Sequence, residues 1–286
     1  YFGGDAIFNG TLAATTVAIN AGNVAGENAG AVFVGDATIT NLTLTANSAN
    51  ANTDATAEFQ SALTATTVTL DDATSNGTAE LTINTTNGAQ TIAGTIDGGA
   101  AGEGTLAVKD DDDGAAAQAA TFSGNIGATN SLRAITVGSA TEAGEAVFQG
   151  TVAATNITVD GGDHSNETGL VEFQKGVTAT AISLDDNTGV VTATFNATNG
   201  AVTFAGTVFG HSAGDGTLNV IDDDANAAPD AITFSGQIGS TQVGALTVGS
   251  STQGGSAVFT STDGVSVDTV TVTGGDHSSE DSAVEF

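Results

Sequence analysis

The chain has 286 residues, and its 33 acidic side chains against three basic ones give a formal net charge of −30. That balance excludes nucleic acid as a partner, since phosphate binding needs cationic contacts, and it disfavours docking on anionic membrane. The absence of cysteine excludes a disulfide framework, a thiolate metal site and a cysteine nucleophile; 13 Phe with no Trp or Met, in an apolar fraction carried by Ala and Val, argues for a narrow core rather than a broad one.

Taken in chain order, Phe is the marker of a repeat. Phe8, Phe33, Phe59, Phe122, Phe148, Phe173, Phe195, Phe234, Phe259 and Phe286 occupy comparable places, and many steps between them are 22 to 27 residues. In five turns an apolar residue follows the Phe by nine: Val17, Leu42, Val68, Ile157 and Ile182. Each is followed, one residue further on, by a second apolar residue: Ile19, Leu44, Leu70, Val159 and Leu184. Period-two alternation is the strand signature, with one face buried and the intervening Thr, Ser or Ala pointing out. Helical runs at 3.6 spacing are missing, and Thr, Val and Gly dominate.

A longer period overlies the short one. Ala57–Asp72, AEFQSALTATTVTLDD, returns 114 positions later as Val171–Asp186, VEFQKGVTATAISLDD. Gly94–Gly127 likewise returns as Gly206–Gly239, and the longer gaps Leu81–Phe122 and Phe195–Phe234 each hold an extra turn. The super-repeats span roughly 33–147 and 148–258, about 112 residues and about five turns each, with a third beginning at Phe259. A hairpin sandwich would need two-residue turns between strands of similar length; Asn87-Gly88 and Asn199-Gly200 offer some. A beat of about two dozen residues with one aromatic per beat fits a solenoid better. The expected fold is all-β, a right-handed parallel β-solenoid with turns of about 22–27 residues, continuous over 1–286, with like residues stacked in one aromatic column.

No apolar run approaches the roughly 20 residues of a membrane-spanning helix, so no membrane insertion is expected in this segment. Tyr1 opens directly into the pattern and Phe286 falls where a new turn should begin, which reads as a segment of a longer repetitive chain.

Phrases such as ATFSGNIGATNSLRAITVGS (Ala120–Ser139), ITFSGQIGSTQVGALTVGS (Ile232–Ser250) and AVFQGTVAATNITVDGG (Ala146–Gly162) resemble passenger repeats of large bacterial surface proteins. They are similar to autotransporter adhesins of the rickettsial outer-membrane type and to filamentous-haemagglutinin-like repeats. The resemblance implies an extracellular or cell-surface β-solenoid stalk, adhesin or sheath subunit, with a cell-surface or matrix ligand, or the chain itself, as partner. No membrane-anchoring barrel and no GGxGxD calcium repeat appears in the sequence.

Acidic pairs and runs close the strands: Asp71 and Asp72, Asp110, Asp111, Asp112 and Asp113, Asp185 and Asp186, and Asp222, Asp223 and Asp224. Stacked turns would bring such pairs within about 5 Å of each other, where calcium, which takes carboxylate and carbonyl oxygens, would relieve their repulsion. Calcium is therefore the expected cofactor, against the alternative of solvated turns in which Asp serves the backbone. The near-identical loops Gly161–Ser165 and Gly274–Ser278 carry His164 and His277, too far apart to share an ion; His211 stands alone. An enzyme is not expected: lyases of this shape need a basic catalytic residue, and only Lys109, Lys175 and Arg133 exist. Outward Thr pairs such as Thr64/Thr66 and Thr178/Thr180 read as β-propensity, and self-assembly into a filament, sheath or surface layer is the alternative use of the rod.

Overall fold

The structure is a computed structural model and describes residues 4–22, 26–46, 53–72, 77–111, 118–198, 200–223, 229–276 and 280–286. Among these residues there is no helix. The strands stack as a parallel β-solenoid of about ten turns, a length of roughly 50 Å at ~4.8 Å per turn.

Each turn has three faces. The reason is visible in strands such as Ala37–Thr45 and Leu63–Asp71. Inward residues alternate as Ala37, Ile39, then Leu42, Leu44, so Thr40 and Asn41 both point out in succession. Two consecutive outward residues break the period-two rule and turn the chain through a corner. The ladder registers skip there too: Ile39 lies beside Ala65 and Asn41 beside Thr67. Thus Ala37–Ile39 lie on one face and Asn41–Thr45 on the next, with Ala29–Phe33 on the face before.

Inside, residues of like size lie directly over one another. On the first face the column runs Phe8, Phe33, Phe59, Ile83, Val108, Val137, Val159, Leu184. On the second face it runs Ile92, Phe122, Phe148, Phe173, Phe195, Val220, Val248, Val272. The third face carries Phe204, Phe234 and Phe259, and the ring of Phe286 stacks on Phe259 at 5.4 Å. Ring centroids of Phe8, Phe33 and Phe59 lie 4.9 and 4.4 Å apart with planes within 4° of parallel. Where the second and third columns meet, Phe195 instead meets Phe234 edge-on at 5.0 Å.

This corrects the single aromatic column expected from the sequence. The inward Phe residues among those described occupy three columns, one per face, and Phe209 points outward beside Ser183. The cause is that the super-repeat is not a whole number of turns. From Phe33 the first column climbs four turns to Val137, and the equivalent residue, Phe148, then lies one face further round. The super-repeat is therefore four turns and a third, not five. Six successive inward residues of the first column, Phe33 to Val159, correspond to Phe148 to Val272 of the second. The shift is tolerated because all three faces are short parallel strands with alternating apolar residues, and any of them can hold the ring.

Phe148 is fully buried between Phe122 at 4.9 Å and Phe173 at 5.6 Å. Phe148→Ala is expected to cost about 3–5 kcal/mol, as for a large core truncation that leaves a cavity. Phe8→Ala, on a partly exposed ring in the end turn, should cost less than half of that; a urea denaturation series reads both.

Candidate functional site at the acidic corners

The second Asp of each strand-closing pair turns inward and serves the backbone of the chain around it. Asp72 follows strand Leu63–Asp71, and its Oδ2 accepts the Gly104 N–H at 3.2 Å and pairs with Arg133 Nη1 at 2.7 Å. Asp186 is the same device one super-repeat on: Oδ2 accepts the Gly216 N–H at 3.0 Å and Oδ1 the Val191 N–H at 2.9 Å. Gly104 and Gly216 both hold φ +76°, and a Cβ there would collide with Leu70 and Leu184 respectively, so the approach of strand to carboxylate requires glycine. Burial pushes the Asp72 carboxyl up, and Arg133 and the Gly104 amide offset only part of that. At Asp186 burial also raises the carboxyl, opposed by the Gly216 and Val191 amides and reinforced by Asp215 and Asp185. The residue matching Arg133 is Gly244, so this second copy has no arginine in that place.

The runs behave alike. Asp110 and Asp222 are buried, and each accepts a backbone N–H eight residues on: Gln118 at 2.8 Å and Asp230 at 2.6 Å. Burial alone would raise the Asp111 carboxyl, yet a hydrogen bond shared with Glu142 and those donated by Lys109 and Asn84 outweigh it and lower the carboxyl from its ordinary value. Its Oδ1 lies 3.0 Å from Lys109 Nζ. Asp223 is exposed. Asp112, Asp113, Asp224 and His277 lie outside the described residues.

The ladder through Asp160 brings carboxylates of successive turns together. Asp160 and Asp185 are register partners, and Asp185 Oδ2 stands 3.7 Å from His211 Nδ1. Burial, then the Asp185 charge, push the Asp160 carboxyl up.

Two groupings go beyond what sequence reasoning singled out. Glu58 Oε1 accepts Gln60 Nε2 at 2.8 Å and the buried Asn84 Nδ2 at 2.9 Å. Glu172, Gln174 and Asn196 repeat this at 2.8 and 2.9 Å, and the twice-written EFQ triplet was the available signal. The other is the loop after strand Val152–Asp160. Here Asp163, His164 and Glu167 present ligand atoms all within 4.8 Å of one another, the one such group of three found among the described residues. Sequence reading had the Gly161–Ser165 loop and its His164 but not Glu167.

In comparisons with family models, with curated proteins and with solved structures, nothing matches this chain. The fold is thus that of a β-solenoid repeat protein, and no match supports the likeness to surface adhesins.

The pH dependence of stability follows from the raised carboxyls. Asp72, Asp160, Asp186 and Glu145 all sit above their ordinary values of 3.8 for Asp and 4.5 for Glu, each mainly through burial. The folded chain then keeps protons that the unfolded chain has released, so stability falls as pH rises from those ordinary values through the raised ones. Melting temperature at low salt is expected to be higher at about pH 5 than at pH 7. Asp160→Asn should raise the pH 7 value and shrink the difference. A flat or opposite profile would contradict this assignment.

Proposed function

We propose that this chain is an extracellular structural or adhesive rod, a segment of a large bacterial surface protein. The observation that carries the proposal is the continuity of the in-register columns through successive super-repeats. Each unit adds the same geometry, turned by a third of a lap, and so extends reach without a new core. Backbone hydrogen bonds between turns run along the axis, where tension would act. The net charge of −30 keeps such a rod soluble and disfavours lateral collapse.

Self-assembly is the second reading. The turns at the two ends of the rod expose apolar side chains of the inward columns, among them Phe8, 36 % exposed, and Val272, 49 % exposed. A further turn, from a longer chain or a second copy, would cover them and pair the open strand edges. Calcium at in-register carboxylates such as Asp160 and Asp185 belongs to the same proposal.

Protease shaving of intact cells of the source bacterium tests the main reading: release of peptides from this chain is expected, and their recovery only after lysis would contradict it. Negative-stain imaging with calcium and with chelator separates the two uses. Single rods of roughly 50 Å, unchanged by chelator, favour the stalk. Polymers that dissolve on chelation favour assembly, and an unchanged melting temperature removes calcium from the account.

A further inference from the structure

We propose that Asp163, His164 and Glu167 form a binding site for a divalent transition-metal ion of the zinc type. The inference stands independently of the functional reading above. His164 Nδ1 lies 2.7 Å from Asp163 Oδ1 and 3.7 Å from Glu167 Oε1. In a tetrahedral site with bonds of about 2.0–2.1 Å the donor atoms stand about 3.3 Å apart. The two distances from His164 Nδ1 lie about half an ångström either side of that value, and all three donor atoms fall within 4.8 Å of one another, so small side-chain adjustments bring them onto one ion with water completing the shell. The mixed set of one imidazole and two carboxylates suits zinc and its neighbours rather than calcium, which takes oxygen ligands alone.

The site is built on a rigid base. Glu167 is 2 % exposed, and its Oε2 accepts the His164 N–H at 3.1 Å, so backbone and carboxylate fix the loop together. Gly162 has φ +75°, and a Cβ on it would strike Glu167 Oε2. Asp163 and His164, by contrast, are half exposed. An anchored acid under two accessible donors leaves the ion room to enter.

The chain contains its own control. Among the described residues a glycine packs against the glutamate five residues on at three corners: Gly22 against Glu27, Gly162 against Glu167 and Gly275 against Glu280. Gly22 and Gly275 each donate their N–H to the carbonyl of the glutamate, at 2.7 and 2.9 Å. At the first of these corners the sequence after the glycine is Asn23-Val24, with no metal donor pair; at the other two it is Asp-His. This packing therefore needs neither Asp163 nor His164. What these two add is a donor pair over a carboxylate already held in place.

The test uses the whole chain with His277→Ala, which leaves the 163–167 loop as the only Asp-His-x-x-Glu loop, against the same protein carrying His164→Ala as well. Zinc is titrated calorimetrically at physiological salt with magnesium in large excess to saturate general carboxylate binding, and cobalt absorption reports the coordination. Circular dichroism checks that both proteins fold, as expected for a half-exposed side chain. The His277→Ala protein should bind one zinc equivalent more than the double variant, with a cobalt band that the double variant lacks. Equal stoichiometry in the two proteins, or no magnesium-resistant binding in either, would overturn the proposal.

Discussion

Parallel strands stack about 4.8 Å apart along the axis, so the inward side chains of one turn are covered by those at the same register positions of the next. This constraint decides the composition. A ring stacked on a ring at 4.4–5.6 Å fills the interval between turns, as from Phe8 to Phe59 and from Phe122 to Phe173. Val over Val does the same from Val220 to Val272. The interior is one narrow channel shared by three faces, so it needs few aromatic residues and no Trp. Where two Phe columns overlap, the rings meet edge-on instead of stacking, as Phe195 and Phe234 do.

The same spacing explains the acidic corners. Polar groups at the end of one strand lie beside the backbone of the next turn, where amides at the corner need acceptors. A short carboxylate that points inward meets that need, as Asp72 does for Gly104 and Asp186 for Gly216. The cost is desolvation, seen as carboxyls raised by burial. Two backbone amides offset part of it at each corner, Gly104 and Ala79 at Asp72 and Gly216 and Val191 at Asp186, and Arg133 adds to them at Asp72 alone. Acidity here is thus partly structural.

Much of the fold was legible in the sequence because the ladder forces like upon like. The pairs Leu42/Leu44 and Val68/Leu70 fall in register as their spacing implied, and the parallel solenoid follows from them. The corners were legible too, in the adjacent outward residues Thr15-Thr16, Thr40-Asn41, Thr66-Thr67 and Thr155-Asn156, but alternation alone does not say that two polar neighbours mark a bend. The phase of the Phe columns was not legible. Ile83 and Ile92 stand at the first change of face where Phe195 and Phe204 stand at the second, so the marker residue vanishes at the step that matters. The acidic positions were found, but their roles were not, since a carboxylate's task depends on which amide the next turn brings to it. Glu167 escaped because it lies three residues beyond the repeated Asp-His, and its burial is a property of the closed loop.

The central claim is that the super-repeat advances by four turns and a third, so that equivalent residues rotate from face to face. The chain has no cysteine, and engineered pairs therefore give an unambiguous readout. Thr91 and Thr121 are outward register partners on the second face, whereas Ala107 lies on the first. Oxidation of the Thr91→Cys, Thr121→Cys protein should give a disulfide, and the Ala107→Cys, Thr121→Cys protein should stay reduced. The reverse outcome would restore a single aromatic column and contradict the account.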